Sequence, residues 1–184
     1  MKPLFTIHAG EYLVGSYMEK HFKGYNLWVP SKDMGVDFLV SDAKNRRAVS
    51  LQVKFSKDYS STNVKDIFLN RVKSRGWFSL NRNKIKQSSA DYWIFVLYGF
   101  DLKQQRNIQY VIIDPKELLK RLTKLHGKIK TIHSYLSVTS KNKCWETRGL
   151  RKKQQMLIAN NEYIGKDRDF SKYLNNWGLI IRKL

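Results

Sequence analysis

The sequence predicts an α/β (α+β) domain in which a mixed central β-sheet is flanked by helices and followed by a basic C-terminal extension. Three features predict it. "DYWIFVLYGF" at 91–100 is an almost unbroken apolar run of strand length, the pattern of a strand buried on both faces. Asp114-Pro115 marks a helix start, because Asp caps and Pro suits the first helical position. Upstream of both, a helical pattern gives way to several short strand-like segments.

In chain order, a first helix is expected from about Ile7 to Phe22, closed by Gly24. Strands follow near Tyr25–Val29, Val36–Ser41 and Ala48–Phe55, the last two joined by a charged turn centred near Asn45. The polar segment at 56–66 reads as a turn, and "WFSL" at 77–80 is ambiguous. A helical stretch around Asn83–Ser88 leads into the buried strand, and a polar turn at 101–107 leads to the strand "IQYVIID". The helix "PKELLKRLTKLHG" carries Leu118, Leu119, Leu122 and Leu125 on one face, with Gly127 past its end. Beyond it the reading is a short strand near Ser134–Val138, a basic helix around Leu150–Ala159 and a final helix near Phe170–Trp177. Trp145, Tyr173, Leu174 and Trp177 demand burial, so residues 1–184 are read as a single domain. Its core spans about 7–126 and its extension about 127–184.

With 42% hydrophobic and 13% aromatic residues, the chain is far from a disordered composition. It shows no apolar run of membrane-spanning length and no signal-peptide pattern, and its one cysteine, Cys144, excludes an internal disulfide framework. A cytoplasmic protein is expected. The formal net charge of +20 divides as +8 over residues 1–115 and +12 over residues 116–184. Such an excess suggests a polyanionic partner, and nucleic acid fits better than a membrane surface because no basic amphipathic anchor helix stands out. Candidate phosphate contacts are Arg71, Lys73, Arg75, Arg82, Lys84 and Lys86 around Trp77 and Phe78, and Arg148, Arg151, Lys152 and Lys153 in "RGLRKK". Trp77 is a candidate to stack on a base.

The polar residues of the hairpin "GVDFLVSDAKNRRAVSLQVK" carry the chemistry. A turn at Asn45 brings Asp37 opposite the neighbourhood of Gln52 and Lys54, which share one strand face while Leu51 and Val53 share the other. On the first helix, Glu11 falls within the apolar stripe of Leu13, Val14, Tyr17, Met18 and Phe22, and Gly15 leaves space one turn later. A carboxylate so placed needs a partner, either a cation or Lys54. The four histidines show no metal-ligand spacing with Cys144, which argues against zinc, and "KDMGVD" is no phosphate-binding loop.

Together "GEYLVGSYMEK", "GVDFLV" and "SLQVK" resemble the PD-(D/E)xK nuclease superfamily, whose fold is restriction-endonuclease-like. The resemblance covers about residues 7–115. It implies that Glu11 is the helix acid, Asp37 the strand Asp, Gln52 the variable ligand position and Lys54 the lysine. It further implies a Mg²⁺-dependent (or Mn²⁺-dependent) endonuclease acting on DNA, most simply double-stranded, and working as a homodimer. Asp37, Glu11, Gln52 and the Val53 carbonyl would hold the metal, and Lys54 would orient the attacking water. Gln52 departs from the usual acidic residue, which favours one metal over two. The alternative is a non-catalytic nucleic-acid-binding protein that keeps the fold and the basic surface.

Overall fold

The computed structural model describes residues 8–32, 34–57, 68, 71–100 and 106–184. The architecture is mixed α+β, with a mixed central sheet flanked by helices. Helix α1 (Ala9–His21) precedes strands β1 (Tyr25–Trp28), β2 (Phe38–Asp42), β3 (Ala48–Lys57) and β4 (Val72–Asn81). The short helix α2 (Arg82–Lys86) is followed by β5 (Tyr92–Phe100), β6 (Arg106–Ile113) and α3 (Pro115–His126). The chain then forms β7 (Thr131–Thr139), β8 (Cys144–Glu146), α4 (Lys152–Ala159) and α5 (Gly178–Ile181).

Two sheets share these strands. The larger runs β1-β2-β3-β5-β6 and is antiparallel except between β3 and β5, and the smaller runs β4-β7-β8. Parallel neighbours need a crossover, and here β4 and α2 provide it. The apolar run of β5 is explained by burial on both faces. Trp93, Phe95 and Leu97 face a core shared with β4, β7 and α3, while Ile94 and Val96 face a core beneath α1. At the start of α3, the Asp114 carboxylate accepts the amides of Lys116 and Glu117 at 2.8 and 3.1 Å, and Leu118 and Leu122 are buried.

"WFSL" belongs to a ten-residue strand. Its inward face is Ser74, Gly76, Phe78 and Leu80, so two small residues hide the period-two pattern. Gly76 is fixed by packing, since a Cβ there would lie 2.7 Å from Phe78 Cε2. Residues 58–66 of the expected polar turn, and 101–105 of the next, lie outside the described residues.

Residues 127–184 are built into the molecule. Strand β7 pairs with β4 from Val72–Thr139 to Asn81–Thr131, and Trp177, Ile180 and Leu184 enter the core beneath α1. The final helix expected at Phe170–Trp177 is instead a pair of 3₁₀ turns, Lys166–Arg168 and Ser171–Tyr173, ahead of the four-residue α5. The cause is the edge of β6. Asn175, at φ +49°, donates its amide to the Tyr110 carbonyl and accepts the Tyr110 amide on its side chain at 2.9 Å. These bonds satisfy part of an open strand edge, which a regular helix would leave unpaired.

Candidate active site

The site forms where β2 stops and β3 continues. Asp42 closes the hairpin turn by accepting the amides of Arg46 and Arg47, and Asn45 adopts φ +55°. The resulting register pairs Ser41 with Ala48, Val40 with Val49 and Phe38 with Leu51. The turn therefore centres between Lys44 and Asn45, half a residue earlier than the sequence suggested. The ladder ends at Phe38, so Asp37 lies just beyond it, and it lines the same cleft as Gln52 and Lys54.

Asp37 replaces the missing end of β2. Its amide donates to the Leu51 carbonyl at 2.8 Å, and its Oδ2 accepts the Val53 amide at 2.7 Å. A strand residue points its N–H and C=O to the same side, so the Val53 carbonyl is directed into the same gap. On the other flank β3 is held by β5, with Gln52 opposite Trp93 and Lys54 opposite Phe95.

Helix α1 brings the second carboxylate. A Cβ on Gly10 would stand 2.6 Å from Phe55 Cβ and 3.3 Å from Val53 Cγ1, so glycine lets the first turn of α1 lie directly on β3. Glu11 follows it, half-buried, with Oε2 accepting the His8 amide at 3.1 Å in the manner of a capping box. The space expected beside Gly15 is filled by Leu27 and Phe38, whose side-chain carbons lie 3.5 and 3.6 Å from a notional Cβ.

Glu11, Asp37, Gln52, Val53 and Lys54 line one cleft of about 1000 Å³. The Gln52 Nε2 lies near the loop at Gly35, 3.6 Å from where a Cβ would stand. The Lys54 ammonium sits 5.2 Å from the centroid of the Trp93 ring. Among the described residues no three His, Cys, Asp or Glu side chains gather as a metal centre. Glu11, Asp37, Gln52 and the Val53 main chain instead offer two carboxylates, one amide and one carbonyl. That all-oxygen set suits a hard divalent cation, which keeps several waters and needs one or two carboxylates.

Of the opposite wall the sequence pointed only to Lys84, because β4 was not legible as a strand. The wall comprises Ser79, Asn81 and Lys84, with Ser88 and Ser89 beyond α2. Asn81 also caps α2, accepting the amides of Asn83 and Lys84. His8 is exposed and on the rim, where it lines the cleft beside Glu11.

Of the basic candidates, Lys84 alone lines the cleft. Lys86 is exposed on the same short helix, and Arg151, Lys152 and Lys153 are exposed at the start of α4. Arg71 bonds Asn160, and Lys73 donates to Asn142 at 2.8 Å. Arg75 lies 5.1 Å from the Tyr135 ring, and Arg148 donates to the His133 carbonyl at 3.0 Å. No helix among the described residues is long and apolar enough to cross a membrane. Set beside family models, curated proteins and solved structures, the chain has no match in any of the three.

Proposed function

We propose that this protein is a metal-dependent endonuclease of PD-(D/E)xK type, built on a restriction-endonuclease-like core and hydrolysing phosphodiester bonds in double-stranded DNA. The observation that carries the reading is the meeting of Glu11, Asp37, Gln52 and Lys54, from α1, the approach to β2 and β3, on one cleft. The charge of +20 favours a polyanionic substrate.

In this reading Asp37 and Glu11 hold Mg²⁺, or Mn²⁺ in its place, with the Gln52 amide oxygen and the Val53 carbonyl completing the protein donors. The bound ion supplies Lewis-acid stabilisation of the charge that builds on the phosphate. The Val53 amide fixes Asp37 through Oδ2. Lys54, steadied over Trp93, orients the attacking water and favours its hydroxide form by charge. Lys84 on the facing wall positions a substrate phosphate. Gln52 brings no negative charge, so the site suits one ion better than two. A homodimer would cut both strands, one per active site, and the lone cysteine is in keeping with the cytoplasm.

The neutral Gln52 also favours a second reading, a non-catalytic nucleic-acid-binding protein. Incubating supercoiled plasmid with Mg²⁺ or Mn²⁺ separates the two. The nuclease reading expects cleavage that Asp37→Ala and Lys54→Ala reduce at least about a hundredfold while binding persists. No cleavage with either ion, or cleavage indifferent to both substitutions, would leave the binder. In either case log K should fall with log salt by about 0.9 per phosphate contacted, and a flat response would remove nucleic acid as the partner.

A further inference from the structure

Strand β4 alternates strictly through its second half. Phe78 and Leu80 point into the core, and Trp77 and Ser79 point out. Ser79 lines the cleft, so the outer face of β4 continues out of the candidate active site. Two residues along that strand, about 7 Å away, is Trp77.

Trp77 keeps 40% of its surface exposed. It is nevertheless well oriented. Its amide donates to Ser56 Oγ at 2.9 Å, and its ring lies near-parallel to that of His133, with centroids 5.8 Å apart and planes inclined by 18°. In the β4–β7 register Trp77 is directly opposite Tyr135 and Ser79 is opposite His133, so all four share one sheet face. Two guanidinium groups adjoin them. Arg75 lies over Tyr135 at 5.1 Å, and Arg148 is anchored on the His133 carbonyl.

We infer that this outer face of β4 and β7 is a base-stacking platform, and that the substrate carries unpaired nucleotides beside the bond in the cleft. The inference rests on the nucleic-acid reading above and narrows its substrate to DNA with a single-stranded segment, such as a flap or frayed end. Aromatic side chains presented on a sheet face with arginines around them engage bases through their π-faces, which every base offers. Bases in an intact duplex are already stacked on one another and present only edges in the grooves, so a flat indole face finds no partner there. Arg148, held beside His133, supplies a cation for a phosphate next to the stacked base.

The test measures binding with EDTA present, so that turnover plays no part. Fluorescence anisotropy compares a labelled oligothymidylate with a blunt duplex carrying the same number of phosphates, at one salt concentration. Trp77→Ala is expected to weaken oligothymidylate binding on the order of tenfold and duplex binding by less than about twofold, with Trp77→Phe retaining most of the affinity. Should Trp77→Ala fold poorly, the wild type and Trp77→Phe suffice: oligothymidylate should quench an indole signal in the wild type that is missing from the variant. Equal loss on both nucleic acids, or no loss and no differential quenching, overturns the platform while leaving plasmid cleavage by the Asp37 site untouched. Failure of the wild type to bind any nucleic acid overturns the platform together with the proposed function.

Discussion

Gly10→Ala is the sharpest probe of how the fold makes the site. The added methyl would stand 2.6 Å from Phe55 Cβ, whereas carbon atoms pack at about 3.5–4.0 Å, so the first turn of α1 must retreat from β3 by about 1 Å. The obstacle is the Cβ of its neighbour, which no rotamer change moves. Overpacking of this kind costs about 1–3 kcal/mol, equivalent to a fall in melting temperature of roughly 3–10 °C for a chain of this size. The same retreat carries Glu11 away from Asp37, and a misplacement of about 1 Å at a reacting centre costs about a hundredfold in rate. The control is Gly15→Ala in the same helix, where the new methyl meets only ordinary contacts at 3.5 and 3.6 Å and helix propensity improves. Calorimetry and plasmid cleavage, assayed well below both melting temperatures, give the comparison. Gly10→Ala should be less stable and at least about tenfold slower, and Gly15→Ala unchanged or slightly stabilised. If Gly10→Ala melts and cleaves like the wild type, the close seat of α1 on β3 does not position Glu11 and the reasoning fails.

Three further outcomes follow from the same geometry. Burial pushes the Asp91 carboxyl up, but the Ser50 amide and hydroxyl and the Lys183 ammonium outweigh it and hold the group below the usual carboxylate range. Its folded-state stabilisation is therefore complete above about pH 4 and drains away as pH falls through the lowered value, and Asp91→Asn should flatten melting temperature against pH there. Arg168 donates to Oε2 of the fully buried Glu146 at 2.5 Å, while Oε1 faces His126 and accepts the Arg148 amide, so Arg168→Ala removes the guanidinium from Oε2 and should cost about 3–5 kcal/mol in urea denaturation; a loss under about 1 kcal/mol would mean that the Oε1 partners suffice. Burial pushes the Cys144 thiol up and keeps it protonated, so a thiol reagent should label the protein only as fast as it unfolds, and rapid labelling of the folded protein would contradict the packing.

Local chemistry made much of this chain legible in sequence. The Asp114 cap, the leucine face of α3, the run of β5 buried on both sides and the polar alternation of Gln52 and Lys54 each follow from rules that act within one element. The four polar residues were visible for the same reason: each stands where an apolar residue would have packed. What sequence left open depends on distant partners. Where β2 stops, the bonds of Asp37 to the Leu51 carbonyl and the Val53 amide decided how its carboxylate meets β3. Phe78 lying over Gly76 made a strand of a segment with little strand pattern, and so supplied the facing wall of the cleft. The edge of β6 turned an expected helix into 3₁₀ turns. In each case a contact between residues remote in sequence outweighed a local preference, because propensities amount to fractions of a kcal/mol per residue, whereas a buried ring or an unpaired strand edge is worth more.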